Sequence, residues 1–234
     1  MNHILDANEC KACKIGLTNV FSHLTLDELD KITIQKHCQN FKSGDIIYQQ
    51  SSHLSGFFCI EKGIVKIYKT GPKGRPQIIR FAKKGDIIGY RSVLSKEAAC
   101  TTAEALTDTL VCQISSNILF DLIYHNTSFS MEIMRMACDE LGKANNYIMD
   151  LAQKTVKERL ADILIKLCEE FGLDNNNFLQ IPLTREDLAG MVGTATESLI
   201  RQLADLKKDD LIELKGRKIQ ILNFAGLKRI AKGF

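Results

Sequence analysis

TREDLAGMVGTATESLIRQLADL, residues 184–206, is the stretch that decides how the whole chain is read. Thr184 followed three positions later by Asp187 is a variant N-terminal capping signal, and Leu188 and Val192 then fall on one helical face. Gly193 ends that helix, because glycine alone takes the left-handed backbone of a C-cap cheaply. Thr194 is positioned to cap a second helix, with Leu199, Leu203 and Leu206 as its inward stripe and small Ala189 leaving room for the two helices to cross. The pattern is a helix-turn-helix.

Thr196, Glu197, Ser198, Ile200 and Arg201 are left for the outward face near the start of the second helix, where a recognition helix meets base edges. An arginine fork fits the O6 and N7 acceptors of guanine, and a carboxylate accepts from cytosine N4. Glu197 and Arg201, one turn apart, can therefore read adjacent base pairs. The same two residues also admit a structural role, Glu197 closing a capping box with Thr194 and pairing with Arg201 as a solvated ion pair. From Thr184 to Gly216 the chain resembles the DNA-binding domain of the Crp/Fnr family of bacterial transcription regulators, with Glu197 and Arg201 at the base-reading positions of its motif. Ile200 stands where relatives often carry a small or hydroxyl residue, so it is placed to press on a thymine methyl.

A length of 234 residues suits two domains, and 45% hydrophobic residues can supply a core to each. No run of about 18 apolar residues occurs and the start of the sequence has no apolar signal core, so a cytoplasmic location is expected. The eight cysteines are scattered, which suggests thiols or ligands in a reducing compartment rather than a disulfide framework. A net charge of +3 leaves any nucleic-acid role to the motif and to local positive charge. The five histidines are dispersed, and neither a phosphate-cradling glycine loop nor a nucleophile elbow occurs, so nothing points to an enzyme.

Residues 1–24 read as a leader carrying Cys10-x-x-Cys13, and Thr25-Leu26-Asp27-Glu28 as a helix start. Between Gln35 and Ser115, β-rich runs (IIYQQ, GFFCIEKG, IVKIYKT, QIIRFAKKG, DIIGY, TLVCQIS) alternate with glycine turns, the pattern of a sandwich or jelly roll. This segment resembles the cyclic-nucleotide-binding fold of the same family. From Ser116 the period lengthens, and Met134, Ala137, Leu141, Ala144, Ile148 and Leu151 follow a 3,4 spacing. So narrow a seam suits a partner helix, and the competing reading packs it on the chain's own β domain.

VKERLADILIKLCEEF ending at Gly172 reads as a helix, FLQIPL as a short strand, and LIELKG with RKIQILN as a wing hairpin before a last helix near 224–232. Lys207, Lys208, Lys215, Arg217, Lys218 and Arg185 are candidate phosphate contacts, although most charge clusters are merely solvated faces. The expected fold class is α+β: a β jelly-roll sensor domain (25–126), a dimerisation helix (127–152) and a winged helix-turn-helix domain (153–234).

The resemblance implies a homodimer on palindromic double-stranded DNA, with RNA polymerase as a further partner and no membrane role. It also supplies a test for the effector. The family's cyclic nucleotide site uses a Gly-Glu pair for the ribose and an Arg-Ser pair for the phosphate. Here Gly89 is followed by Tyr90, and Cys100-Thr101 stands at the Arg-Ser position. Arg91 and Arg80 are nearby but do not match, so cAMP is not the expected ligand. The cavity bounded by Gly89, Tyr90, Arg91, Cys100 and Thr101 is left to another small effector. Cys10, Cys13 and Cys112 match three of the four iron–sulfur ligands of Fnr-type oxygen sensors, while Asn19 occupies the fourth position. His3, His23 and Cys38 are the substitutes nearest in sequence. A buried strand cysteine at 112 and a redox or vestigial thiol pair at 10 and 13 are the competing readings.

Overall fold

The computed structural model describes residues 19–72 and 74–233 and forms two compact units, Met1–Leu141 and Gly142–Phe234. Cys10, Cys13 and His3 lie outside the described residues.

In the first unit a 3₁₀ turn (Asn19–Phe21) and helix α1 (Leu26–Gln35) precede eight strands: β1 (His37–Phe41), β2 (Ile46–Tyr48), β3 (Gly56–Lys62), β4 (Ile64–Thr70), β5 (Pro76–Lys83), β6 (Ile87–Ile88), β7 (Thr102–Ala105) and β8 (Thr109–Ser115). Helix α2 (Tyr90–Ser95) interrupts them, and α3 (Ser116–His125) and α4 (Thr127–Gln153) follow. The strands form two antiparallel sheets, ordered β1-β8-β3-β6 and β2-β7-β4-β5. Alternation explains the β2-β7-β4-β5 sheet. Val65 and Ile67 of β4 turn inward and Lys66 outward, which is what a half-solvated strand requires.

The other sheet is covered on both sides, so β3 is apolar at nearly every position. One face, with Ile60, Ile88 and Val111, packs on Val65, Ile67 and Ala103 of the opposite sheet. The other, with Phe57, Cys59 and Ile114, lies under Phe21, Ile32 of α1, Leu119 of α3, and Phe129 and Ile133 of α4. α1 begins at the expected helix start, and it does so with a capping box: the Thr25 backbone N–H donates to Glu28 Oε2 at 2.8 Å.

One expectation is overturned here. Cys38 and Cys112 form a disulfide, so the cysteines are not all free thiols or ligands. The physical reason is register. Cys38 faces Cys112 directly across β1 and β8, and opposed residues of antiparallel strands share a face and approach closely. Cys59, Cys100, Cys138 and Cys168 are free thiols.

In the second unit, α5 (Val156–Phe171), α6 (Arg185–Val192), α7 (Thr196–Lys208) and α8 (Phe224–Ala231) surround a core that includes Leu160, Leu164, Leu188, Leu203 and Leu227. β9 (Ile212–Lys215) and β10 (Lys218–Ile221) pair as the wing. FLQIPL is not a strand. Only Leu179 and Phe178 make isolated bridges, to Leu173 and Gln220, and Pro182 lacks the N–H that a ladder needs.

Candidate nucleic-acid interface and effector region

The helix pair is built by its own sequence. Thr184 and Asp187 form a complete capping box, with Asp187 N–H donating to Thr184 Oγ1 at 3.0 Å and Thr184 N–H donating to Asp187 Oδ2 at 3.0 Å. Gly193 has φ 70°, the left-handed cap that the chain reversal demands. Thr194 does not cap α7. Its N–H donates to Ala189 O in the wrap that closes α6, so Ala195 becomes the N-cap and has no side-chain bond. Leu199, Leu203 and Leu206 are buried, as the 3,4 spacing requires.

The outward face of α7 is left to the predicted residues. Glu197, Ile200 and Arg201 are exposed and Thr196 and Ser198 half-buried, with Ile200 keeping 52% of its surface free. Among the described residues, neither Glu197 nor Arg201 is engaged in a hydrogen bond or ion pair. The capping and ion-pair roles that competed for these side chains are therefore not taken up. A carboxylate and a guanidinium one turn apart stand unspent in the first half of the helix.

The tertiary structure also shows what holds this helix pair. Arg159 of α5 is 9% exposed and donates from Nε to Val192 O at 2.9 Å and from Nη1 to Lys154 O at 2.6 Å. The Tyr147 hydroxyl of α4 donates to Met191 O at 3.3 Å. Both donors engage carbonyls of the last turn of α6, where helix groups lack intrahelical partners. Sequence reasoning missed them, since each is an isolated polar residue on an otherwise ordinary helix.

The basic residues divide. Lys207 is paired with Glu213 at 2.7 Å and Lys157 with Asp209 at 2.7 Å. Arg185 is half-buried. It donates from Nη2 to Gly216 O at 2.9 Å and from Nη1 to Arg217 O at 3.4 Å, and burial lowers its pKa from the usual arginine value. It lines a cleft of about 470 Å³ together with Leu167, Phe178 and Leu188, and its two bonds tether the wing turn to the start of α6. Arg217 and Lys218 remain exposed at that turn. Arg185→Ala is expected to release the turn, raising amide hydrogen exchange at 215–218 about fivefold for a loss of about 1 kcal/mol. Arg185→Lys should not restore protection, because one ammonium cannot span two carbonyls in a fixed fork.

In the first unit, Gly89 has φ 77°, and an added Cβ would lie 3.0 Å from Leu54 Cδ1, so only glycine fits. Tyr90 beside it is buried. Desolvation, then the carboxylate of Glu140 that its hydroxyl meets, raises its pKa. Arg80 lies 3.2 Å from the same Glu140 carboxylate and also donates to Ile87 O at 3.1 Å. Tyr48 is buried, and that desolvation raises its pKa despite a hydrogen bond with Thr101 that acts the other way. Cys100 and Thr101 are half-buried and Arg91 is exposed. The structure thus engages Arg80 rather than Arg91. Glu140, which supplies the carboxylate to this group, was hidden in sequence on the flank of the α4 seam.

The cysteine set does not fit an iron–sulfur cluster ligated through Cys112. That sulfur is bonded to Cys38 and fully buried, whereas a cluster needs a free thiolate. Cys38 is consumed as a substitute for the same reason, and His23 is exposed. Among the described residues, no three His, Cys, Asp or Glu side chains are grouped to hold a metal ion, and no helix is long and apolar enough to cross a membrane.

The family model described as cyclic nucleotide-binding domain matches residues 38–126, and that described as Crp-like helix-turn-helix domain matches 158–230. The chain is 32% identical over 244 residues to the Electron transport regulator A of Shewanella oneidensis, covering 97% of this chain and 94% of that protein. It is 29% identical over 235 residues to the Fumarate and nitrate reduction regulatory protein of Vibrio cholerae, covering 97% and 90% respectively. Among solved structures, FixK2 from Bradyrhizobium japonicum shares the fold, with a TM-score of 0.74, 24% identity, and coverage of 83% of this chain and 96% of that one. Nearly end-to-end identity above 30% and both domains in the same order show that this chain belongs to the Crp/Fnr family of transcription regulators.

Proposed function

We propose that the protein binds palindromic double-stranded DNA as a homodimer and reads it with Glu197 and Arg201 of α7. The observation that carries this reading is the pair of exposed, unspent side chains, one acceptor and one bidentate donor, on the outward face of a capped helix. Thr196, Ser198 and Ile200 flank them, with Arg217 and Lys218 of the wing as phosphate contacts. Arg185 joins this set through the wing it tethers.

Dimerisation is assigned to α4. Met134, Leu141 and Ile148 are 56%, 62% and 63% exposed, an apolar stripe that the described residues leave uncovered. The same helix carries Glu140, bonded in the sensor unit, and Tyr147, bonded at the end of α6. A signal that shifts the packing of α4 would then bias the placement of the reading helices, and a few kcal/mol of differential stabilisation suffices. The signal is other than cAMP, because Tyr90 and Cys100-Thr101 replace the ribose and phosphate contacts. Action on the chromosome places the protein in the bacterial cytoplasm, with RNA polymerase as its second partner.

Footprinting on palindromes of varied half-site separation tests the reading. Protection is expected in two successive major grooves about 34 Å apart. Absence of protection at every separation, or scattering from lone protomers only, would overturn it.

A further inference from the structure

Three cysteines stand in one lateral row that none of the roles above employs. Cys38 on β1 opposes Cys112 on β8, which on its other side opposes Cys59 on β3, all on the sheet face covered by α1 and the start of α4. We propose that Cys38 and Cys112 are a reversible dithiol–disulfide pair, oxidised by a hydroperoxide, whose bond clasps edge strand β1 onto the sheet.

The proposal rests in one respect on the DNA-binding reading. A regulator at the chromosome works in a reducing compartment, where a disulfide is ordinarily transient and redox-responsive. The rest is geometry. Among the described residues β1 is laddered on one side only, to β8, so it can open without unfolding the sheet. Cys38 is 4% exposed and Cys112 fully buried, which favours a very small oxidant over a bulky disulfide such as oxidised glutathione.

In the reaction, the Cys38 thiolate attacks a peroxide oxygen. The O–O bond breaks, water leaves after protonation, and a sulfenic acid remains. The Cys112 sulfur then displaces the sulfenic oxygen as a second water. Two thiols and one hydrogen peroxide become one disulfide and two waters, with the sulfurs losing the two electrons that the peroxide gains.

Cys59 stays out of this exchange because β3 is laddered on both sides, Cys59 facing Cys112 of β8 and Ile87 of β6, so it cannot swing open to peroxide as edge strand β1 can. Burial also pushes its thiol up to about 12, so within the closed sheet it holds almost no thiolate. The clasp has a mechanical outlet within its own unit. β1 follows α1 after the single residue Lys36, and Ile32 of α1 packs in one cluster with Phe129 and Ile133 at the base of α4. Freeing β1 therefore loosens the seat of the helix assigned to dimerisation.

The full chain, reduced with dithiothreitol and desalted without oxygen, is exposed to hydrogen peroxide or to oxidised glutathione. It is then quenched in acid, alkylated in denaturant and mapped by peptide mass. Cys38 and Cys112 should lose alkylation together at about one peroxide per chain, appear as a cross-linked peptide, and recover fully with dithiothreitol under native conditions. Cys59 should remain alkylated throughout. Cys38→Ser and Cys38→Ala should each abolish the cross-link, and Cys59→Ala should leave it intact.

A bond that resists dithiothreitol until the chain unfolds would overturn reversibility. Thiols that peroxide leaves alkylatable, or a link formed by oxidised glutathione alone, would overturn the assigned oxidant, and loss of the link in Cys59→Ala would overturn the assigned pair. None of these readouts uses DNA, so a failure of the DNA-binding reading would show separately, as absent footprints.

Discussion

Reduction of the Cys38–Cys112 bond is expected to lower the stability of the N-terminal unit by about 4 kcal/mol, the chain-entropy value for so long a closed loop. The linked residues are 74 apart in sequence, and all strands from β2 to β7 lie between them. Opening the link returns that whole segment to the unfolded ensemble as free chain, so the loss acts chiefly on the unfolded state. Because the chain has two units, one global midpoint is the wrong observable. Urea-dependent hydrogen exchange at β1 and β8 amides, with and without dithiothreitol, reports the affected unit directly. Cys38→Ala should match the reduced wild type and respond no further to reductant. Equal stability of oxidised and reduced protein would show that the link adds nothing to the fold.

Arg201→Ala should cost about 1–3 kcal/mol of discrimination at one guanine, up to a hundredfold or so in relative affinity, while leaving affinity for unrelated DNA largely intact. Lys218→Ala should do the reverse, weakening all sequences alike and reducing the salt slope by about one. The contrast follows from what each side chain can touch. A guanidinium on the outward face of α7 is placed to reach a base edge, whereas an ammonium at the wing turn would meet phosphates, which are the same in every sequence. Site selection from random DNA followed by titration of both variants measures the two effects. An unchanged preference in Arg201→Ala would remove it from base reading and favour a helical domain that docks protein instead.

Much of this protein was decided by local sequence. The helix pair at 184–206 needs only a capping box, a glycine with positive φ and a 3,4 leucine stripe, all within a few residues of one another. Runs such as IVKIYKT identify themselves by alternation. β1 and β7, with sequences HCQNF and TAEA, do not, because ladder pairing rather than apolar pattern holds them. α7 begins one residue later than its threonine suggests, because Thr194 is already consumed by the end of α6. Tertiary structure alone decided the Cys38–Cys112 link, the Glu140 carboxylate on Arg80, the Arg159 guanidinium on α6 and the Arg185 tether on the wing. Each joins groups tens of residues apart in sequence. Their meeting depends on strand register and helix packing, which a linear pattern of residue types does not encode.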